Sequence, residues 1–188
     1  MSDPFETLGV EPRFELDLAN VELRHRDLSR VVHPDRHAGA PPSSRRVALS
    51  RAIEVNQAFA ELRDPVRRAQ ALLKRYGVTI EEGKEKPADP LLLMELLELG
   101  EGIADARRAR DAASVERQSK ALKAREQSAI DALGAAFREL EAATATGATA
   151  LGPEASAAAD SVVKQIGILR FTRRLLDEAA LASEELGS

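Results

Sequence analysis

The sequence predicts an all-α protein: a helical hairpin with short flanking helices, joined to an antiparallel three-helix bundle. Three observations carry this. Ala and Leu are abundant while aromatic residues make up only 3 %, a balance that favours helix over strand. Apolar residues recur at three- and four-residue spacing, and no alternating run reads as a strand. Proline and glycine cut the chain into helix-sized pieces. At 188 residues, it can hold one or two small domains with real cores.

The N-terminal pieces follow in order. Pro4 to Gly9 reads as a single helical turn and stop. Asp17 is a good N-cap for a helix running to about Val32. Leu18, Val21, His25, Leu28 and Val32 form its stripe. The helix ends at His33, because Pro34 disfavours helical geometry in the residue before it. A polar loop, His33 to Ser44, contains Gly39, Pro41 and Pro42. The next helix is expected from about Ser44 to Leu62, with Leu49, Ala52, Ile53, Asn56, Phe59 and Ala60 buried. Asp64 caps a short third helix, Pro65 takes its first position and Gly77 follows its last turn. Ala69, Leu72, Leu73 and Tyr76 give its packing face.

Residues 77–88, with Gly83, Pro87 and four charges between Glu81 and Glu85, read as a linker between a domain at 1–76 and another at 89–188. Asp89-Pro90 repeats the cap-and-proline start. Three long helical patterns then cover about 90–110, 114–143 and 153–185, the last two separated by Gly147 and Gly152-Pro153. Three helices with short connections imply an antiparallel bundle.

Charge and composition remove several function classes. Net charge is −4. Residues 1–76 hold 13 Lys/Arg against 11 Asp/Glu, and residues 77–188 hold 14 against 20; this is not the basic excess of a nucleic-acid binder. There is no Cys, so disulfides, thiolate metal sites and cluster ligation by thiolates are absent. Residues 1–10 lack the apolar segment of a secretory signal, and no apolar run approaches the ~18 residues of a membrane span. A cytoplasmic protein is expected.

Chemistry concentrates in the first loop. Pro34 fixes its own φ and has no donor, so His33 and Asp35 are held outward with little freedom to lose on binding. Asp35 can accept a bidentate bond from a partner Arg. Arg26 and Arg30 lie on the solvent side of the preceding helix, Arg24 flanks them and Arg36 follows the loop. A basic patch beside a rigid polar tip suits an acidic partner. His33 and His37 do not make a metal site, for want of further ligands. His33 with Asp35 has no nucleophile, oxyanion hole or phosphate loop for catalysis. No enzyme activity, metal or cofactor is expected. His25 reads as a core histidine.

With Asn56-Gln57-Ala58-Phe59, Leu62 and Asp64-Pro65 in the following helix, residues 4–76 resemble the J-domain family. That resemblance implies that His33, Pro34 and Asp35, assisted by Arg26, Arg30 and Arg36, engage a DnaK/HscA-like ATP-dependent chaperone and promote its ATP hydrolysis.

The segment 91–99, Leu-Leu-Leu-Met-Glu-Leu-Leu-Glu-Leu, is too apolar for one stripe of about 100°. At helical spacing Leu92, Leu96, Leu99 and Ile103 form one line. Leu93, Met94 and Leu97 form a second, edged by Glu98, Glu101 and Asp105. The second is either a protein-binding face, apolar with an acidic border, or a further core surface shared with the N-terminal domain. In the last helix Val162, Ile166, Leu169 and Leu176 form the main stripe. Ile168, Phe171 and Leu175 lie roughly opposite, so Phe171 is either an exposed contact or ordinary packing.

Leu93-Met94-Glu95 with Leu97-Glu98-Leu99, and Leu169-Arg170-Phe171 followed by Leu175, are similar to the HscB family. The resemblance then spans nearly the whole chain and implies a bundle that binds an iron–sulfur scaffold protein (IscU-like) through Leu93, Met94, Leu97, Glu98, Glu101, Asp105 and Phe171. Two departures stand out. Gly100 and Gly102 replace the family's charged helix formers, at roughly 1 kcal/mol each, and are expected to loosen the helix. No Gly/Phe-rich linker or zinc domain of the general DnaJ type is present. A different client, or a helical adaptor without a chaperone role, is the alternative reading.

Overall fold

The computed structural model describes residues 2–33, 39, 41–80, 90–144 and 152–187. Among them are seven α-helices: α1 (Pro4–Leu8), α2 (Leu18–Val32), α3 (Pro42–Arg63), α4 (Pro65–Arg75), α5 (Pro90–Ala109), α6 (Ala112–Thr144) and α7 (Pro153–Gly187). They divide into two compact units, Met1–Thr79 and Ile80–Ser188. Most of the segment read as a linker lies outside the described residues.

The caps follow the sequence signals. Asp3 accepts from the Phe5 amide at 2.8 Å, Asp17 from Ala19 and Asn20, and Asp64 from Arg67 at 2.8 Å. Each fills orphan donors of a first turn. α4 ends in a Schellman turn: Gly77 has φ 76°, its amide donates to Lys74 O, and Val78 N donates to Leu73 O at 2.9 Å. Glycine suits that left-handed position because it has no Cβ. α3 starts at Pro42, ahead of the expected Ser44, because proline is tolerated where a helix needs no donor.

In the N-terminal unit α2 and α3 form the hairpin, and α1 and α4 also pack on α3. Phe5, Leu8, Phe14, Val21, Val55, Leu62, Leu72 and Leu73 are its principal buried side chains. The buried line of α3 differs from expectation. Ala48, Val55, Ala58 and Leu62 are inside, whereas Leu49 and Ile53 are about half exposed and Asn56 and Ala60 are exposed. The expected stripe considered only the hairpin partner. Helices on other sides of α3 draw its buried line round toward them. Leu18, in the first turn of α2, is likewise exposed.

One polar group enters this core. The Arg68 guanidinium is buried, donates from Nη1 to Leu62 O at 2.6 Å and lies 4.7 Å from the Phe14 ring centroid. Desolvation draws its pKa below the usual value, and Asp64 opposes the shift.

The C-terminal unit is a three-helix bundle whose register is fixed by facing residues. Glu95 bonds Arg125 Nε at 2.9 Å, and Gly102 faces Gln118, so α5 and α6 run antiparallel. Gly100 faces Leu175, and Arg107 Nε donates to Glu185 Oε2 at 2.6 Å, so α5 and α7 run parallel. Arg173 Nε donates to Glu126 at 2.7 Å and ties α7 to α6.

Both stripes of α7 contribute to the core: Val162, Ile166 and Leu169 are buried, and so are Ile168 and Leu175. Two different neighbours account for this, because α6 runs along the helix and α5 joins its second half. α5 is continuous through Gly100 and Gly102. A Cβ at Gly100 would lie 3.0 Å from Leu175 Cδ2, and one at Gly102 would lie 2.5 Å from Gln118 Nε2. The glycines admit neighbouring side chains and do not interrupt the helix.

Candidate functional site

Two surfaces carry the residues singled out from the sequence. The first lies along α2. Its last turn leads into His33, exposed, with φ −58° and ψ 128°, the extended geometry imposed before a proline. Pro34, Asp35 and Arg36 lie outside the described residues. Arg26 and Arg30 are exposed, as expected from their position opposite Val21. Glu22 lies 3.9 Å from the Arg26 guanidinium.

A groove of about 400 Å³ runs along this face, lined by Glu22, His25, Arg26, Ser29, Arg30 and His33 of α2 and by Phe59 and Arg63 of α3. His25 is half-buried, not a fully enclosed core residue. Its ring stacks on Phe59 at 4.1 Å between centroids and 14° between planes. Nε2 lies 2.9 Å from Asn56 Oδ1 and, carrying the proton, donates to it. These contacts fix the ring and join the two helices under the basic face. The sequence reading missed Arg63 as a member of this surface. It stands over thirty positions from Arg26 in sequence, and only the folded hairpin brings them to one groove.

The second surface is on α5. Leu96 and Ile103 are 1 % and 2 % exposed, whereas Leu93, Met94 and Leu97 are 39 %, 58 % and 49 % exposed. Glu98, Glu101 and Asp105 are exposed beside them. Asp105 pairs with Arg108. Glu98 and Glu101 have no charge partner among the described residues, and their carboxylates face water. Phe171 is half-buried on α7. The parallel register that opposes Gly100 to Leu175 sets Phe171 about one turn earlier, level with Leu96 and Leu97. Leu91, which the two-stripe reading left out, is the most exposed large apolar side chain of the helix at 78 %.

An apolar strip with an acidic edge can hold a partner's apolar side chains and orient its cations. Among the described residues no group of three His, Asp or Glu is placed to hold a metal. Among the described residues no helix is long and apolar enough to cross a membrane.

Comparison with known proteins bears on both units. Residues 88–180 match the family described as the HSCB C-terminal oligomerisation domain. A co-chaperone protein HscB homolog of Bordetella pertussis is 40 % identical over 106 residues, which are 56 % of this chain and 62 % of that protein. The chain's match therefore spans less than two thirds of that relative. The corresponding Shewanella frigidimarina protein is 31 % identical over 183 residues, 97 % of each chain. Among solved structures, the chaperone HscB from Vibrio cholerae is 28 % identical, with a TM-score of 0.77 covering 98 % of this chain and 99 % of that one.

Proposed function

Because the chain belongs to the HscB co-chaperone family, we propose that it stimulates ATP hydrolysis by a DnaK/HscA-like chaperone and delivers an iron–sulfur scaffold protein (IscU-like) to it. The N-terminal unit acts as the J-domain. His33, Pro34 and Asp35 engage the chaperone, with Arg26, Arg30 and Arg36 attracting its acidic surface. The bundle holds the scaffold through Leu93, Met94, Leu97, Glu98, Glu101, Asp105 and Phe171. The chain breaks no bond itself, contributes no cluster ligand and works in the cytoplasm.

The observation that carries this reading is the division within α5. Leu96 is sealed while its neighbour Leu97 and the adjoining Leu93 and Met94 stay open to water. A helix stripe of this size left uncovered beside exposed carboxylates supports a protein-binding role. One docking surface on each of two units suits an adaptor that joins two proteins.

The test is the chaperone's single-turnover ATPase rate with this protein, with and without the scaffold. His33→Gln should fold normally, since the side chain is exposed, and should abolish stimulation. Reversing Arg26 and Arg30 to Glu should weaken chaperone binding, and raised salt should weaken the wild-type interaction. Wild-type stimulation by His33→Gln would remove the loop from the mechanism. Pull-down of the scaffold by the chain separates this client from any other.

A further inference from the structure

The groove along α2 has a second wall that lies far from the loop motif in sequence. Arg26 and Arg30 rise from α2, and Arg63, in the last turn of α3, lines the same groove. Among the described residues lining it, three arginines stand against one carboxylate, Glu22, which lies near Arg26. Arg63 is exposed and forms no ion pair among the described residues. Its position at the C-terminal end of α3 is the end at which a cation is favoured.

The floor is as informative as the walls. His25 and Phe59 present stacked, nearly parallel rings, and Asn56 anchors the imidazole from the side. These two rings are therefore in place before any partner arrives, which lowers the ordering cost of binding. Guanidinium-bearing walls on a groove braced by these rings are complementary to a carboxylate side chain, whose oxygens can meet the planar donor forks. Concave positive surfaces also concentrate the field that draws an acidic segment in.

We propose that Arg63 is a chaperone-binding residue, and that the groove between α2 and α3 seats an Asp or Glu side chain of the ATP-driven chaperone, held from α2 by Arg26 and from α3 by Arg63. This rests on the co-chaperone function proposed above. It assigns part of the specificity to the hairpin's second helix.

The experiment titrates the full chain into a purified DnaK-type chaperone and follows single-turnover ATP hydrolysis. Arg63→Ala should raise the half-saturating concentration about fivefold, and Arg63→Glu more than tenfold, about 1.4 kcal/mol. The maximal stimulated rate should be unchanged in both, because the His33 loop is untouched. Arg63→Lys should recover only part of the affinity, since an ammonium lacks the fork. Arg67→Glu, an exposed charge reversal on α4 outside the groove, should shift nothing. Rising salt should weaken the wild type more than Arg63→Ala.

An unchanged half-saturating concentration for Arg63→Glu would overturn the proposal, and so would an equal shift for Arg67→Glu. If Arg63→Glu unfolds, Arg63→Gln reads the same site without a charge reversal. Loss of single-stranded oligonucleotide binding by Arg63→Glu, with an unchanged chaperone titration, would make the groove a polyanion site and sink the proposal. Should the wild type fail to stimulate, the co-chaperone reading itself falls. Should it stimulate, with His33→Gln silent and Arg63→Glu normal, only the groove assignment falls.

Discussion

Leu96 and Leu97 are adjacent, of one residue type and on one helix, yet the structure assigns them opposite roles. Leu96 is 1 % exposed and Leu97 is 49 % exposed. Truncating Leu96 to Ala removes buried carbons and leaves a cavity between α5 and its bundle partners, at a cost of roughly 2–5 kcal/mol. Leu97→Ala leaves no enclosed cavity, and only about half of its surface was withdrawn from water. Its cost should be about 1 kcal/mol or less, reduced further by alanine's slightly better helix propensity. Scaffold affinity should respond to Leu97→Ala, falling about tenfold or 1.4 kcal/mol, as at a central apolar anchor. Urea unfolding of both variants and calorimetric titration of Leu97→Ala with the scaffold supply the numbers. Equal stability losses would place Leu97 in the core and refute the division of α5. A stable Leu97→Ala that binds the scaffold with wild-type affinity would remove it from the proposed site.

Three further outcomes follow from the backbone and the caps. Arg110 ends α5 in a Schellman turn with φ 54°, its amide donating to Arg107 O and Asp111 N donating to Ala106 O at 2.9 Å; Arg110→Gly should raise stability by roughly 1 kcal/mol, and a loss in urea unfolding would contradict the turn. Gly102→Ala displaces only the end of the flexible Gln118 side chain and should gain roughly 0.5–1 kcal/mol, whereas Gly100→Val presses on buried Leu175 and should cost roughly 1–3 kcal/mol; a reversed order in paired unfolding curves would overturn that packing. Asp111 accepts from the Ser114 hydroxyl and amide, and these bonds hold its carboxyl below the ordinary carboxylate value. A depressed folded-state pKa gives stability that is present above the unfolded pKa and lost as pH falls through the folded one. The stability gap between wild type and Asp111→Asn should therefore close on acidification, and a gap constant to low pH would show that charge is not what the cap uses.

Local chemistry was legible in the sequence. Asp17 and Asp64 act within three residues of themselves, and a proline or glycine limits the backbone wherever it stands. Helix starts, stops and order could therefore be read without tertiary knowledge, as could the outward placement of Arg26 and Arg30 opposite Val21. The buried line of α3 could not. It depends on how many helices share that helix, and α1 and α4 turned it away from Leu49 and Ile53 toward Val55, Ala58 and Leu62. The same reason decided between the two stripes of α5, which are equally apolar in sequence. Burial is settled by what else packs against a face, so only the bundle could close over Leu96 and leave Leu97 open. Gly100 and Gly102 read alike because propensity counts a residue alone, yet buried Leu175 packs against Gly100 while Gly102 faces only the flexible end of Gln118. Arg63 joined Arg26 at one groove, and His25 found Asn56 and Phe59, only when the hairpin closed. Sequence separation carries no information about such contacts until the chain has folded.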